Sequence, residues 1–360
     1  MKKLMLSMMV LIATMASSVF GMYAPDSDWI DFLTHGNQLR ARVDQFGVTI
    51  GNETIKGTFG FKGNNVIFVD DGGPFQFTPT ASAGIGYTSD VVSVGLGYSY
   101  TYKNKNLSTH TPVLMLNFLN NNLRIAVPVS IAMTDKSSEG FKNYKYTGIS
   151  TDTHIRYYTG IDAFSQIRLY IKYGMNEKEY TTTLLDNTET KVKSSTSSLG
   201  VDFRAYFGAN VDELALAPFI RVTYDTALNA KGKIGTTSYR VTAADEYGVV
   251  STGSGIIANY DRNPYAIQVL PTLGITASTD IVTVYVEPGL GYRAADSGLK
   301  GDKLRHALAW NAYGEIYLTP LPNLEWYFEV DAGSKTDPNT SQEVSFATST
   351  GVTWYLPDLQ

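Results

Sequence analysis

Apolar and polar positions alternate with a period of two along most of this chain. In residues 92–102, Val92, Val94, Leu96, Tyr98, Tyr100 and Tyr102 fall on one face, and Ser93, Gly95, Gly97, Ser99 and Thr101 fall on the other. One face is oily and aromatic; the other is small and polar. Only β-structure has this period. Similar runs are Leu123, Ile125, Val127, Val129, Ile131 and Met133; Leu199, Val201, Phe203, Ala205 and Phe207; and Leu324, Trp326, Phe328 and Val330. The pattern predicts strands near 54–61, 81–88, 91–102, 111–119, 123–133, 147–158, 164–174, 198–208, 214–225, 265–277, 281–292, 307–318, 324–332 and 345–355.

The connections alternate in length. Short turns fall at 89–90, 120–122, 159–163, 209–213, 278–280 and 319–323. Long polar loops fall at 62–80, 103–110, 134–146, 175–197, 226–264, 293–306 and 333–344. Outer-membrane barrels have short periplasmic turns, long outer loops and an even strand number. The expected fold is therefore all-β: a transmembrane antiparallel up-and-down β-barrel of about 14 strands (range 12–16), preceded by a short N-terminal helix. That helix is read around Trp29, Ile30, Phe32 and Leu33, with Ser27 as N-cap and Gly36 as stop signal. Residues 22–50 are assigned to a periplasmic or lumenal segment, because a spanning strand at 39–50 would break the loop order. The barrel is placed at 51–360. Pro128, Pro218, Pro271 and Pro288 lie inside candidate strands, and bulges are expected there.

Residues 1–21 read as a signal peptide: Lys2 and Lys3, an apolar core over 4–15, then Val19-Phe20-Gly21. Removing them leaves the chain more acidic than its formal charge of −5. With no cysteine, a lipid-anchored lipoprotein, a disulfide framework and a thiolate metal site are excluded. The mean hydropathy of −0.11 resembles a soluble protein, but alternation dilutes the hydrophobicity of a barrel. The 24 Tyr and 32 Gly suit aromatic girdles and a tightly curved sheet. The acidic balance opposes nucleic-acid binding.

By parity the polar face carries a charge separation. Arg124, Arg156, Arg168, Lys172, Arg204 and Arg221 point inward on one side. Glu287, Glu315, Glu325, Glu329 and Asp331 point inward on strands expected to face them roughly across the lumen. Asp152, Asp202, Asp225 and Arg293 interrupt the segregation, and local pairing that merely solubilises the interior is the bland alternative. A transverse field would order water and sort solutes by charge and dipole.

Asp152 and His154 share a strand face, the minimum for an orienting acid–base pair, but no nucleophile signature accompanies them. Gly84-Ile85-Gly86 and Gly289-Leu290-Gly291 sit in strands and lack phosphate-loop spacing, so close strand packing is expected. Asp70-Asp71-Gly72-Gly73 lacks calcium-loop spacing and reads as a solvated turn. No catalytic, cofactor-binding or metal-binding residues are assigned; no enzyme activity and no cofactor are expected.

Residues 20–23, 28–42 and 55–61 resemble the start of the variable surface proteins of intestinal spirochaetes (Brachyspira type). They read Phe-Gly-Met-Tyr, Asp-Trp-Ile-Asp-Phe-Leu-Thr-His-Gly-Asn-Gln-Leu-Arg-Ala-Arg and Ile-Lys-Gly-Thr-Phe-Gly-Phe. The resemblance implies an abundant outer-membrane antigen, variable and multimeric, and carries no catalytic residues across. The expectation is thus a surface-exposed antigen in the bacterial outer membrane, with porin-like passage of small solutes. Its partners would be outer-membrane lipid, small solutes in the lumen, host molecules or antibodies at the outer loops, and further copies in a homo-oligomer. An adhesin or ligand receptor using loop 226–264, a barrel hydrolase near His154 and a secreted soluble β-sandwich are the alternatives.

Overall fold

The computed structural model describes residues 29–64, 78–136, 141–183, 187–211, 213–232, 234–235, 258–334 and 344–359. The expected signal peptide and the 70–73 turn lie outside them. A short helix, α1 (Trp29–Phe32), precedes the hairpin β1 (Gln38–Arg42) and β2 (Gln45–Gly51). The chain then runs up and down through β3 (Ile55–Asn64), β4 (Thr78–Tyr87), β5 (Val92–Asn104) and β6 (Leu107–Phe118). The next stave is broken at Val129 into β7 (Leu123–Pro128) and β8 (Ser130–Thr134). It is followed by β9 (Lys142–Ile161), β10 (Phe164–Thr183), β11 (Glu189–Tyr206) with its continuation β12 (Ala209–Val211), and β13 (Leu214–Ala227). Outside the wall, β14 (Ile234–Gly235) pairs with β15 (Ala258–Asn259). The wall is completed by β16 (Tyr265–Ser278), β17 (Val282–Asp296), β18 (Arg305–Leu321), β19 (Leu324–Ser334) and β20 (Val344–Tyr355).

Each stave is antiparallel to the next, and β20 pairs back onto β1 from Gln38↔Tyr355 to Arg42↔Gly351. The result is a closed barrel of 16 staves. Closure leaves the wall no unpaired edge. The count exceeds the expected 14 because residues 38–50, expected to stay outside the wall, supply its first two staves together with Gly51. Their pairing preserves the loop order: the β1–β2 turn joins the long-loop end, and the β2–β3 turn joins the short-turn end.

Burial follows the predicted alternation. On β5, Ser93 and Ser99 are buried and Leu96 is 60% exposed. The exposed outer face carries aromatics towards the short-turn end (Phe207, Trp326, Phe328, Trp354) and towards the other end (Phe46, Phe61, Tyr98, Tyr100, Tyr292). These are the girdles of a lipid-embedded barrel. Between β6 and β7, Asn120 and Asn121 take left-handed φ of 53 and 64, a conformation Asn tolerates well.

The outer connections are shorter than expected. Residues 103–110 hold only a two-residue link between Asn104 and Leu107. Most of 175–197 is strand, with β10 and β11 paired in register as far as Thr183↔Glu189. Here both faces are polar and no hydrocarbon enforces alternation, so the ribbon carries no period-two signal. The prolines differ in effect. Pro128 ends β7 at the break, whereas Pro271 and Pro288 sit within β16 and β17, whose pairing skips around them without losing register. No bulge is needed there because the missing N–H merely omits a ladder bond.

Candidate functional site

Helix α1 and the turn after it lie inside the barrel at its short-turn end. Trp29, Ile30, Phe32 and Leu33 are buried together with Val113 and Met115 of β6 and Ala126 of β7. Glycines make the room. A Cβ on Gly97 would stand 2.7 Å from the Trp29 ring, and one on Gly86 would stand 2.3 Å from Leu33 Cδ2. The Gly84/Gly86 pair, expected to serve strand packing, is instead the floor of this seat. So short a helix has little stability of its own and depends on such tertiary contacts.

Charge completes the docking. Asp31 accepts from Arg124 Nη1 at 2.5 Å and from Arg156 Nη1 at 2.8 and 2.7 Å. Lys56 of β3 donates to the carbonyls of Leu33 at 3.2 Å and His35 at 2.6 Å, satisfying acceptors that a helix end leaves open. Burial raises the pKa of Asp31, but the opposing charges of Arg156 and Arg124 outweigh it and hold the carboxyl well below the usual carboxylate range. Burial pushes the His35 imidazole down to about 4, against the attraction of Asp31.

The inward basic residues form a row. Register pairs Arg124 with Arg156, Arg156 with Arg168, Arg168 with Arg204, and Arg204 with Arg221, across β7, β9, β10, β11 and β13. Like charges directly opposite one another repel, and two carboxylates relieve the row. Asp31 lies between the first two arginines. Asp202 accepts from Arg204 Nη2 at 2.8 Å and from Arg221 Nη2 at 2.7 Å. Arg124 stacks on Tyr158, Arg168 on Tyr206 and Arg204 on Tyr170, at 4.8, 4.6 and 4.7 Å. Among the described residues, Arg168 meets Gln166 at 2.7 Å and Tyr206 but no paired carboxylate. Lys172 lies 3.7 Å from Asp152, which also contacts His154 at 3.3 Å.

The acidic residues line β17, β18 and β19. Tyr285 donates to Glu287, Tyr313 and Tyr317 donate to Glu315, and Tyr355 donates to Glu325 at 3.3 Å. Glu329 pairs in register with Glu315 and lies 3.7 Å from Arg42. Asp331 is in register with Tyr313, which is itself in register with Glu287. In the ring of 16 staves the far edges of the two walls, β7 and β19, lie eight staves apart, while their near edges come close. A single stave, β16, separates β13 from β17, so acid and base adjoin along one side of the lumen.

Asp31, Arg40, Arg42 and Lys56 were not among the expected lumen charges. Arg40 and Arg42 were missed with the strand that carries them, although Gln38, Arg40 and Arg42 alternate with Leu39, Ala41 and Val43. Among the described residues no cluster of His, Asp and Glu could hold a metal ion.

The model of a known family, the Serpulina hyodysenteriae variable surface protein, matches residues 2–355. No curated protein matches the chain. Among solved structures, a bacterial polysaccharide outer membrane secretin is 9% identical with a TM-score of 0.52, covering 89% of this chain and 98% of its own. The translocator domain of the autotransporter NalP from Neisseria meningitidis is 14% identical with a TM-score of 0.38, covering 92% of each chain. The secretin likeness concerns fold alone and agrees with the closed barrel. With its lipid-facing exterior and near-complete family match, the chain belongs to the variable surface protein family of Serpulina hyodysenteriae and is an outer-membrane β-barrel surface protein.

Proposed function

We propose that this surface antigen also passes small hydrophilic solutes through its lumen and sorts them by charge. The observation that carries this reading is the arginine row of β7–β13 meeting the carboxylates of β17–β19 across β16. A buried interior that only needed solubilising would pair its charges locally, whereas Arg168 has no such partner among the described residues and Glu287 is bonded by a neutral tyrosine. The docked α1 narrows the periplasmic end beside β4–β9, so the open path is expected along the other side, where the charged walls adjoin. The test is conductance of the refolded full chain in planar bilayers. Arg168→Glu is expected to shift ion selectivity toward cations and Glu287→Gln toward anions. Folded barrels that conduct nothing, or whose selectivity ignores both changes, would overturn the reading.

A second reading, attachment to host molecules, is favoured by the outer ribbon. There Phe141 stacks on Tyr180 at 4.3 Å, and Lys178 lies over the rings of Phe141, Tyr144 and Tyr180. Loss of host-cell binding on removal of this ribbon, with the barrel still folded, is its test.

A further inference from the structure

The apolar exterior does not end at the aromatic girdle of the short-turn end. Each of the six short turns expected from the sequence carries or adjoins a large aliphatic side chain in the open. These are Val91, Leu119, Ile161, Val211, Ile281 and Leu321, all between 52% and 76% exposed. The β2–β3 turn runs into another, Ile55. Apolar residues scattered singly are ordinary on a surface, but one at every short connection makes a ring. Register sets its direction. Ile55 pairs with Tyr87, Val211 with Leu214 and Leu321 with Leu324, and each partner lies on the outward parity of its strand. Leu321 reaches that side through a register shift after Leu318, which re-aims a position that parity alone would turn inward. Leu119 holds a left-handed φ of 55, uncommon for a bulky side chain, beside asparagines that tolerate it better.

Carboxylates stand beside this ring. Asp90 adjoins Val91, Asp162 adjoins Ile161 and Asp280 adjoins Ile281; all three are exposed and make no ion pair among the described residues. The short connections hold no lysine or arginine. The nearest basic residues along the chain, Lys56 and Arg124, are turned inward onto the Leu33 carbonyl and Asp31. We infer that the periplasmic rim of the barrel is seated in the inner leaflet, its aliphatic side chains among acyl chains and its aspartates against the ammonium groups of ethanolamine-type zwitterionic lipids. The inference is independent of solute passage. The ring continues the lipid-facing surface of β3, β13 and β19 without a polar break, through Ile55 and Phe59, Leu214 and Leu216, and Leu324 and Trp326. The hydrocarbon that covers that surface therefore reaches the turns. An aspartate next to an embedded aliphatic lies at headgroup depth. An anionic headgroup is repelled there and finds no basic residue. A quaternary ammonium offers charge without an N–H, and a primary ammonium offers both.

The experiment uses the folded full chain in phosphatidylcholine vesicles, with heat-modifiable mobility as the folding check. Ala163, exposed beside Asp162, is changed to cysteine (Ala163→Cys) and labelled with a bimane; the chain holds no other cysteine. The probes are phosphatidylethanolamine, phosphatidylcholine and phosphatidylglycerol, each carrying a nitroxide on its acyl chain. All three should quench the label. The ethanolamine lipid should be enriched there about threefold over the glycerol lipid, the size a single exposed ion pair supplies, with the choline lipid between them. Asp162→Asn should erase the enrichment, whereas Asp280→Asn, four staves away, should leave it. Ile161→Ser should lower quenching by every probe, because the turn loses its hold on the leaflet. A label reached by aqueous iodide and by none of the lipids overturns the seated rim. Lipid quenching without the ranking, or a ranking that survives Asp162→Asn, overturns the headgroup contact.

Discussion

Asp31 of the lumenal helix accepts two hydrogen bonds from a single nitrogen of Arg156, a residue 125 positions later in the chain, at 2.8 and 2.7 Å. Together with Arg124 this contact fixes the N-terminal segment to β7 and β9. It also cancels repulsion at one end of the arginine row. The helix and the charged wall are therefore energetically one structure.

Asp31→Asn should undock the helix while the wall stays closed. Removing one partner of a buried ion pair costs about 3–5 kcal/mol, and here two arginines lose their carboxylate together. The chain has no cysteine, so a single cysteine introduced at Ile30 gives a clean accessibility probe. Ile30 is 2% exposed when docked. Labelling at that position should accelerate at least tenfold in the Asp31→Asn background, and unchanged labelling would count against the docking role.

Acid should release the same helix. His35 has its pKa pushed down to about 4 from an ordinary 6.5 by burial, so docked His35 stays neutral where undocked His35 takes a proton. Between pH 6.5 and about 4 the undocked state binds the extra proton, and docking weakens as pH falls through that window. Above 6.5 both states are neutral and pH has no effect through this group. Asp31 does not contribute in this window, because its carboxyl is held ionised below it. Cysteine accessibility at Ile30 should rise from pH 7 to pH 5, and His35→Gln should flatten the profile.

Gly97→Ala should expel Trp29 from its seat, since the new methyl would stand 2.7 Å from the ring and the wall behind it is backbone. Trp29 is buried while Trp326 and Trp354 are exposed on the lipid-facing surface. Quenching by aqueous iodide should therefore rise with one additional accessible tryptophan, without loss of heat-modifiable mobility. Unaltered quenching would show that the glycine is not needed for the seat.

The barrel was legible where lipid enforces a period. Wherever one face meets hydrocarbon and the other meets water, as from Val92 to Tyr102, alternation marked the strand. The same rule failed at β1 and β2, because their order in the wall depends on which end the turn at 52–54 joins. It was silent for the upper parts of β10 and β11, where both faces are wet. The inward docking of α1 was left open between periplasm and lumen. Its determinants, Asp31 with Arg124 and Arg156, and Trp29 with Gly84 and Gly97, are joined only by tertiary packing. Asp202 read as an interruption of the basic wall, and in the fold it is the clasp between Arg204 and Arg221.

The outer ribbon should be dispensable for closing the barrel. Its ion pairs, Lys191–Glu179 at 2.7 Å, Lys193–Glu177 at 3.7 Å and Lys142–Glu189 at 2.6 Å, each rest on a lysine that is 60% or more exposed. Such exposed pairs contribute about 0–1 kcal/mol each and weaken with salt. The last buried link between β10 and β11 is the bond from Thr196 to Asn176 at 3.1 Å. These two residues are directly paired, so an Asn-Gly turn can replace 177–195 without changing register. The shortened protein should refold in detergent with unchanged heat-modifiable mobility and unchanged single-channel conductance. Antibodies raised against the ribbon should no longer bind it. A shortened chain that fails to close would show that the ribbon nucleates pairing of the staves below it, rather than standing on a barrel already complete.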